Sequence, residues 1–191
     1  MRNRIMEIFS ETAEIKNKFL RSNLTILEDV IRTLTEIIGR GNKILLFGNG
    51  GSAADAQHIA AEFVNRYRID RPPLPALALT TDTSVLTAIA NDFGYDNLFE
   101  KQVNALGKQG DAAFGISTSG NSVNVNKGLQ TAQELGIVTV GLGGPGSCPM
   151  ENFCDYFISV DGGPTPRIQE VHHIIGHIIV ELVEESLFKE S

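Results

Sequence analysis

The chain has 191 residues, 42% of them hydrophobic and 20% charged, a size and balance that suit one globular domain with its own core. The formal net charge of -7 excludes a general surface for nucleic acid or anionic membrane. It leaves room for a small anionic ligand, which feels only the field of its own pocket. Cys148 and Cys154 are the two cysteines. They are too few for a disulfide framework, lack the second pair of a zinc ribbon, and read as free thiols of a cytoplasmic protein. The opening MRNRIMEIFSETAEI is charged throughout and does not read as a signal peptide. No stretch approaches the roughly 20 apolar residues of a membrane span.

In chain order, residues 1–40 form an N-terminal helical segment and 41–191 an α/β core, within a single domain 1–191. Ile5, Ile8, Phe9, Ile15, Phe19 and Leu20 recur at near-helical spacing. Leu24, Leu27, Ile31, Leu34, Ile37 and Ile38 do so more strictly. This predicts two amphipathic helices, the second stopped by Gly39 and Gly41. An apolar stripe left over from packing on the sheet would have to meet a partner chain. Short apolar runs then follow at 43–47, 75–80, 112–117, 137–142 and 156–160. Helical stretches separate them at 52–67, 82–90 with 96–107, and 122–135, and a final helix spans 167–188. Such alternation predicts an α/β fold of three layers, with helices on both faces of a five-stranded parallel sheet. DRPPLP at 70–75 reads as a rigid lead into the second strand.

Ligands of an open parallel sheet gather where strand ends meet helix starts. One such place is GNGGS after the first strand. There Gly48, Gly50 and Ala53 fit a dinucleotide fingerprint, with Asp70 further on. Asp70 follows a helix instead of ending a second strand, however, and no Walker lysine is present. A better candidate is GISTSGNS, 115–122. Ser117, Thr118, Ser119 and Ser122 offer hydroxyls, and Gly120 lets backbone N–H groups converge ahead of a helix N-terminus. That combination cradles a phosphate without lysine. Simple capping needs one hydroxyl, not four.

His58 and Glu62, four apart, share a helix face. Gln169 and His177 lie on the last helix with His173 between them. Eight residues of helix rise about 12 Å, so a metal shared by Gln169 and His177 would need stretched side chains, a kink at Gly176, or ligands from two subunits.

GNGGSAADAQH, RYRIDRPPLPALAL, TAIANDFGYD, GISTSGNS and TPRIQEVHHIIGH together resemble the phosphoheptose isomerase branch of the sugar isomerase (SIS) fold, nearly end to end. The resemblance implies conversion of sedoheptulose 7-phosphate to D-glycero-D-manno-heptose 7-phosphate by a homotetramer with active sites between subunits. It implies that Ser117, Thr118, Ser119 and Ser122 hold the phosphate, and that Asn49, Gly50, Gly51, Asn91 and Asp92 line the sugar. It also implies one zinc ion per subunit on His58, Glu62, Gln169 and His177, with Gln169 and Glu62 near the substrate. Glu62 is then the expected base and His177 the partner acid. Pro166 stands where some members carry an acidic residue. Two alternatives come from the same resemblance. One is a non-catalytic SIS adaptor of the replication initiator, which lacks the matches to Glu62 and His177. The other is a different sugar-phosphate isomerase or sensor.

Overall fold

The computed structural model describes residues 1–189. A single helix α1 (Arg2–Gly39) opens the chain, where the spacing of apolar residues predicted two. No glycine or proline interrupts residues 2–38, so nothing breaks the backbone ladder. Asn23, a residue able to cap a second helix, instead donates its side-chain N–H to the carbonyl of Phe19 one turn back. The helix ends as the Gly41 N–H bonds to Ile38 O and the Asn42 N–H to Ile37 O, a Schellman arrangement that satisfies the last carbonyls.

The five strands are β1 (Ile44–Gly48), β2 (Ala76–Ala78), β3 (Ala112–Ser117), β4 (Val138–Gly143) and β5 (Tyr156–Ser159). All pair in parallel, in the order β2-β1-β3-β4-β5. Connecting them are α2 (Gly51–Val64), α3 (Thr83–Phe93), α4 (Leu98–Leu106) and α5 (Val123–Glu134), and α6 (Thr165–Phe188) closes the fold. The strands read as continuous apolar runs because both sheet faces are covered. Their alternation sorts side chains into two cores. Ile44, Leu46, Phe114, Ile116, Val140 and Leu142 pack with residues of α1, α2 and α6. Leu45, Phe47 and Ala113 pack on the other face with residues of α4 and α5. The three-layer α/β expectation is borne out.

This strand order has a reversal point between β1 and β3, which places a crevice there at the carboxyl ends of the strands. From the two sides of that crevice the chain departs in opposite directions. It leaves β1 into α2 on one face and β3 into α5 on the other.

α6 runs unbroken through Gly176, so no kink forms there. A Cβ at that position would lie 2.7 Å from Ile59 Cδ1. The glycine allows close approach of α2 and α6. Among the described residues, no helix is long and apolar enough to cross a membrane.

Candidate functional site

The turn 117–122 closes β3 and opens α5 at the reversal point. Ser122 occupies the N-cap position of α5, yet its side chain makes no capping bond. Its hydroxyl lies 3.0 Å from that of Ser117 instead. Ser119 Oγ accepts the Asn121 N–H at 3.2 Å. Gly120 takes φ of +64°, and a Cβ there would collide with Cys148, so the turn admits no side chain at its bend. Hydroxyls grouped at a helix N-terminus are donors of the kind that can receive an anion.

The second turn of the crevice is GNGGS. Asn49 exchanges two amide bonds with Asn124, at 2.8 and 3.0 Å, and its Oδ1 also receives the Tyr95 hydroxyl at 2.9 Å. Asn124, buried in the first turn of α5, was not singled out from sequence. Its position two residues after Ser122 was the available signal. Through this pair the turns after β1 and β3 are locked together. Gly51 faces the amide of Gln169, which a Cβ at Gly51 would displace. Gly50 is the N-cap residue of α2, at φ of +54°.

Beyond Gly51, α2 and α6 lie side by side and bring a polar row together. Gln169 Nε2 donates to Asp55 Oδ2 at 3.4 Å, and Asp55 Oδ1 lies 3.0 Å from His173 Nδ1. The Nε2 atoms of His58 and His177 are 2.7 Å apart, within hydrogen-bond distance. Glu62 Oε1 is 3.8 Å from His58 Nε2. His58, His173 and His177 each offer a ring nitrogen within 4.8 Å of the others. Burial, then the neighbouring His173 and His58, push the His177 imidazole below its ordinary value. It is neutral near pH 7, and a neutral imidazole is the form that binds a metal. Imidazole donors converging beside a carboxylate fit a divalent metal of the zinc type.

His58, Glu62 and His177 therefore meet, while Gln169 is one turn away against Asp55 and Gly51. Asn91 and Asp92 sit on exposed α3, where Asn91 Nδ2 donates to Asp92 Oδ1 at 2.8 Å. Neither bonds to another candidate residue among the described side chains. The metal-site expectation also passed over Asp55 and gave His173 no role. Both stand one helical turn from a named residue, at 58 and 177, which is the spacing that shares a face.

Behind the row, Arg71 and Glu184 form an ion pair at 2.9 Å with both side chains 1% exposed. Glu184 also accepts the N–H groups of Tyr67, Arg68 and Ile69, and Arg71 donates to the carbonyl of Glu62. The clamp holds the segment after α2 on α6 and sets the Tyr67 ring 5.4 Å from that of His177.

Residues 8–144 match the family model of the SIS domain. The chain is 57% identical over 168 residues to a phosphoheptose isomerase from Aneurinibacillus thermoaerophilus, covering 88% of this chain and 85% of that protein. It is 48% identical over 191 residues to the one from Aquifex aeolicus, covering 100% of each. The solved phosphoheptose isomerase of Neisseria gonorrhoeae superimposes with a TM-score of 0.90 at 37% identity, over 96% of this chain and 98% of that one. The chain belongs to the phosphoheptose isomerase family of SIS-domain proteins.

Proposed function

We infer that the protein interconverts D-sedoheptulose 7-phosphate and D-glycero-D-manno-heptose 7-phosphate, supplying heptose for surface polysaccharide. The observation that carries this is one continuous polar strip along the crevice. It starts at the hydroxyls of Ser117 and Ser122, passes the Asn49–Asn124 pair, and ends at His58, Glu62 and His177. A sugar phosphate bound with its phosphate in the β3–α5 turn lays its carbonyl end toward the imidazoles. Thr118 and Ser119 add donors at the phosphate, and Asn49, Gly50, Gly51 and Gln169 line the chain of hydroxyls.

Aldose–ketose interconversion moves a proton between C1 and C2 through an enediol. It needs a base at carbon, an acid at oxygen, and stabilisation of the developing oxyanion. Glu62 takes the carbon proton, and His177 gives and receives the oxygen proton. Zinc held by His58 and His177, with Glu62 and Gln169 as the further positions of the family pattern, supplies carbonyl polarisation when bound.

Asn91 and Asp92 are exposed, with a side-chain bond to each other, and α3 buries none of its residues. Together with Ile5, Met6, Phe9, Leu20 and Leu24 exposed along α1, this supports a homotetramer in which neighbouring chains complete each site. Free thiols support a cytoplasmic setting. The presence of Glu62 and His177 weighs against the adaptor alternative.

Metal-stripped protein incubated with sedoheptulose 7-phosphate, with and without added zinc, and followed by NMR, tests the reading. The aldoheptose phosphate is expected only with zinc. No turnover under either condition sinks the isomerase assignment. Glu62→Gln is expected to keep the fold and lose at least about 100-fold in kcat. Near-full activity would remove Glu62 as the base.

A further inference from the structure

The way an amide side chain points is set by its neighbours, because its oxygen only accepts and its nitrogen only donates. In the crevice the assignment starts from a backbone group whose role is unambiguous. The Val125 N–H, in the first turn of α5, donates to Asn124 Oδ1 at 2.9 Å. Asn124 Nδ2 is thereby fixed as the donor, and it meets Asn49 Oδ1 at 3.0 Å. Asn49 Nδ2 donates back to Asn124 Oδ1 at 2.8 Å. The Tyr95 hydroxyl then fills the second lone pair of Asn49 Oδ1 at 2.9 Å. A side-chain amide carries two lone pairs and two N–H groups. Both lone pairs and one N–H of Asn49 are occupied, and its second N–H has no partner among the described residues.

The two partners come from different depths. Asn124 is buried in α5, while Tyr95 is 56% exposed and reaches in from solvent. Tyr95 opens the single turn Tyr95–Asn97 that follows α3. Lys127 of α5 ties that turn down by donating to Asn97 Oδ1 at 2.7 Å. Three segments far apart in sequence thus converge on one amide.

We propose that Asn124 and Tyr95 are positioning residues of the sugar site, holding Asn49 as a donor-only group whose remaining N–H meets an oxygen of the bound sugar phosphate. This rests on the sugar-phosphate reading above. A flipped Asn49 would set its N–H groups against the Tyr95 hydroxyl and the Asn124 amide and lose all three bonds, so the ligand meets one fixed face. That face takes a hydroxyl or carbonyl oxygen and rejects a group that only donates. Asn49 lies between the phosphate turn and the imidazoles, away from the reacting carbons. A bond made equally in the bound substrate and the transition state appears in KM, not in kcat.

The test separates positioning from direct contact and from folding. Tyr95→Phe removes one hydroxyl, and Asn124→Asp replaces the donating N–H groups with an oxygen. Tyr95→Phe should raise KM for sedoheptulose 7-phosphate about fivefold, and Asn124→Asp at least about 10-fold. For Tyr95→Phe, kcat should stay within about twofold of the parent. In an Asn49→Ala background, Tyr95→Phe should change KM by less than about 1.5-fold. Inhibition by inorganic phosphate, whose place is the β3–α5 turn, should be the same in Tyr95→Phe as in the parent. An undiminished Tyr95→Phe penalty in the Asn49→Ala background means that Tyr95 touches the sugar itself, and overturns the proposal. So does a Tyr95→Phe variant that leaves KM unchanged or weakens inorganic phosphate as much as the sugar phosphate. A second readout needs no turnover and no variant. In heteronuclear NMR spectra of metal-stripped protein, one side-chain amide proton of Asn49 should shift when sedoheptulose 7-phosphate binds, and the proton bonded to Asn124 should not. Binding without that shift removes Asn49 as the donor and the proposal with it. A parent that binds with the shift but never converts the sugar supports the positioning role and sinks the isomerase reading alone. A parent that binds no sugar phosphate overturns both.

Discussion

His172, adjacent to the metal-type residues in sequence, points the other way. It is fully buried, its Nε2 donates to the Gly143 carbonyl at 2.9 Å, and its Nδ1 has no partner. Burial lowers its pKa from 6.5 to about 4. The folded state therefore holds it neutral while the unfolded chain takes up a proton below pH 6.5. Where the unfolded state binds more protons, stability falls as pH falls. The loss develops between pH 6.5 and about 4 and amounts to roughly 3 kcal/mol. In metal-stripped protein, His172→Gln should flatten Tm against pH across that window. Parallel curves for parent and variant would contradict the assignment.

Glu184 behaves in the opposite sense. Burial alone raises a carboxyl pKa, but three backbone N–H groups and the Arg71 guanidinium hold this one below its ordinary value. Glu184→Gln leaves the Arg71 charge buried without its partner, at a cost of about 3–5 kcal/mol. The expected drop in Tm is on the order of 10 °C. A drop under about 2 °C in thermal melts would mean the clamp contributes little. Cys154 illustrates a residue that burial silences. Its pKa is pushed up to about 12, so it is a poor nucleophile.

At the scale of elements, the β3–α5 turn separates two uses of serine. A capping serine bonds a backbone N–H in its helix, and its removal costs about 1 kcal/mol of stability. Ser122 makes no such bond and faces Ser117. Ser122→Ala should leave Tm within about 2 °C while raising KM for the sugar phosphate about 10-fold or more, the loss of one hydrogen bond to a charged group. Melting curves and steady-state kinetics on the same preparation decide it. A destabilised variant with unchanged KM would return Ser122 to capping. The contact of α2 with α6 is a second element-scale device. Because Gly176 lies under Ile59, Gly176→Val should push the helices apart and misalign His58 against His177, reducing kcat more than KM.

For the whole molecule, the long first helix leaves Phe9 75% exposed and Met6 55% exposed, a run of apolar surface that a solitary chain would carry into water. A particle of four 20.7 kDa chains is expected by analytical ultracentrifugation. Phe9→Glu combined with Leu24→Glu should shift it toward smaller species and lower activity together. A monomer that is fully active would show that one chain holds the whole site.

The sequence by itself determined the layer order, the five strands and the two turns of the crevice. Those features rest on local physics, namely apolar periodicity, glycine at a bend, and hydroxyls ahead of a helix. It also placed His58 and Glu62 on one face, because both belong to one helix. Tertiary structure decided what local spacing does not encode. A run of apolar residues with no breaker is one helix or two according to what packs against it, and α1 proved continuous. Whether Gln169 or His173 meets the α2 histidine depends on how α6 is rotated and staggered beside α2. That register is set by Gly176 under Ile59 and by the Arg71–Glu184 clamp. Each joins residues far apart in the chain, and only the packed fold brings them into contact.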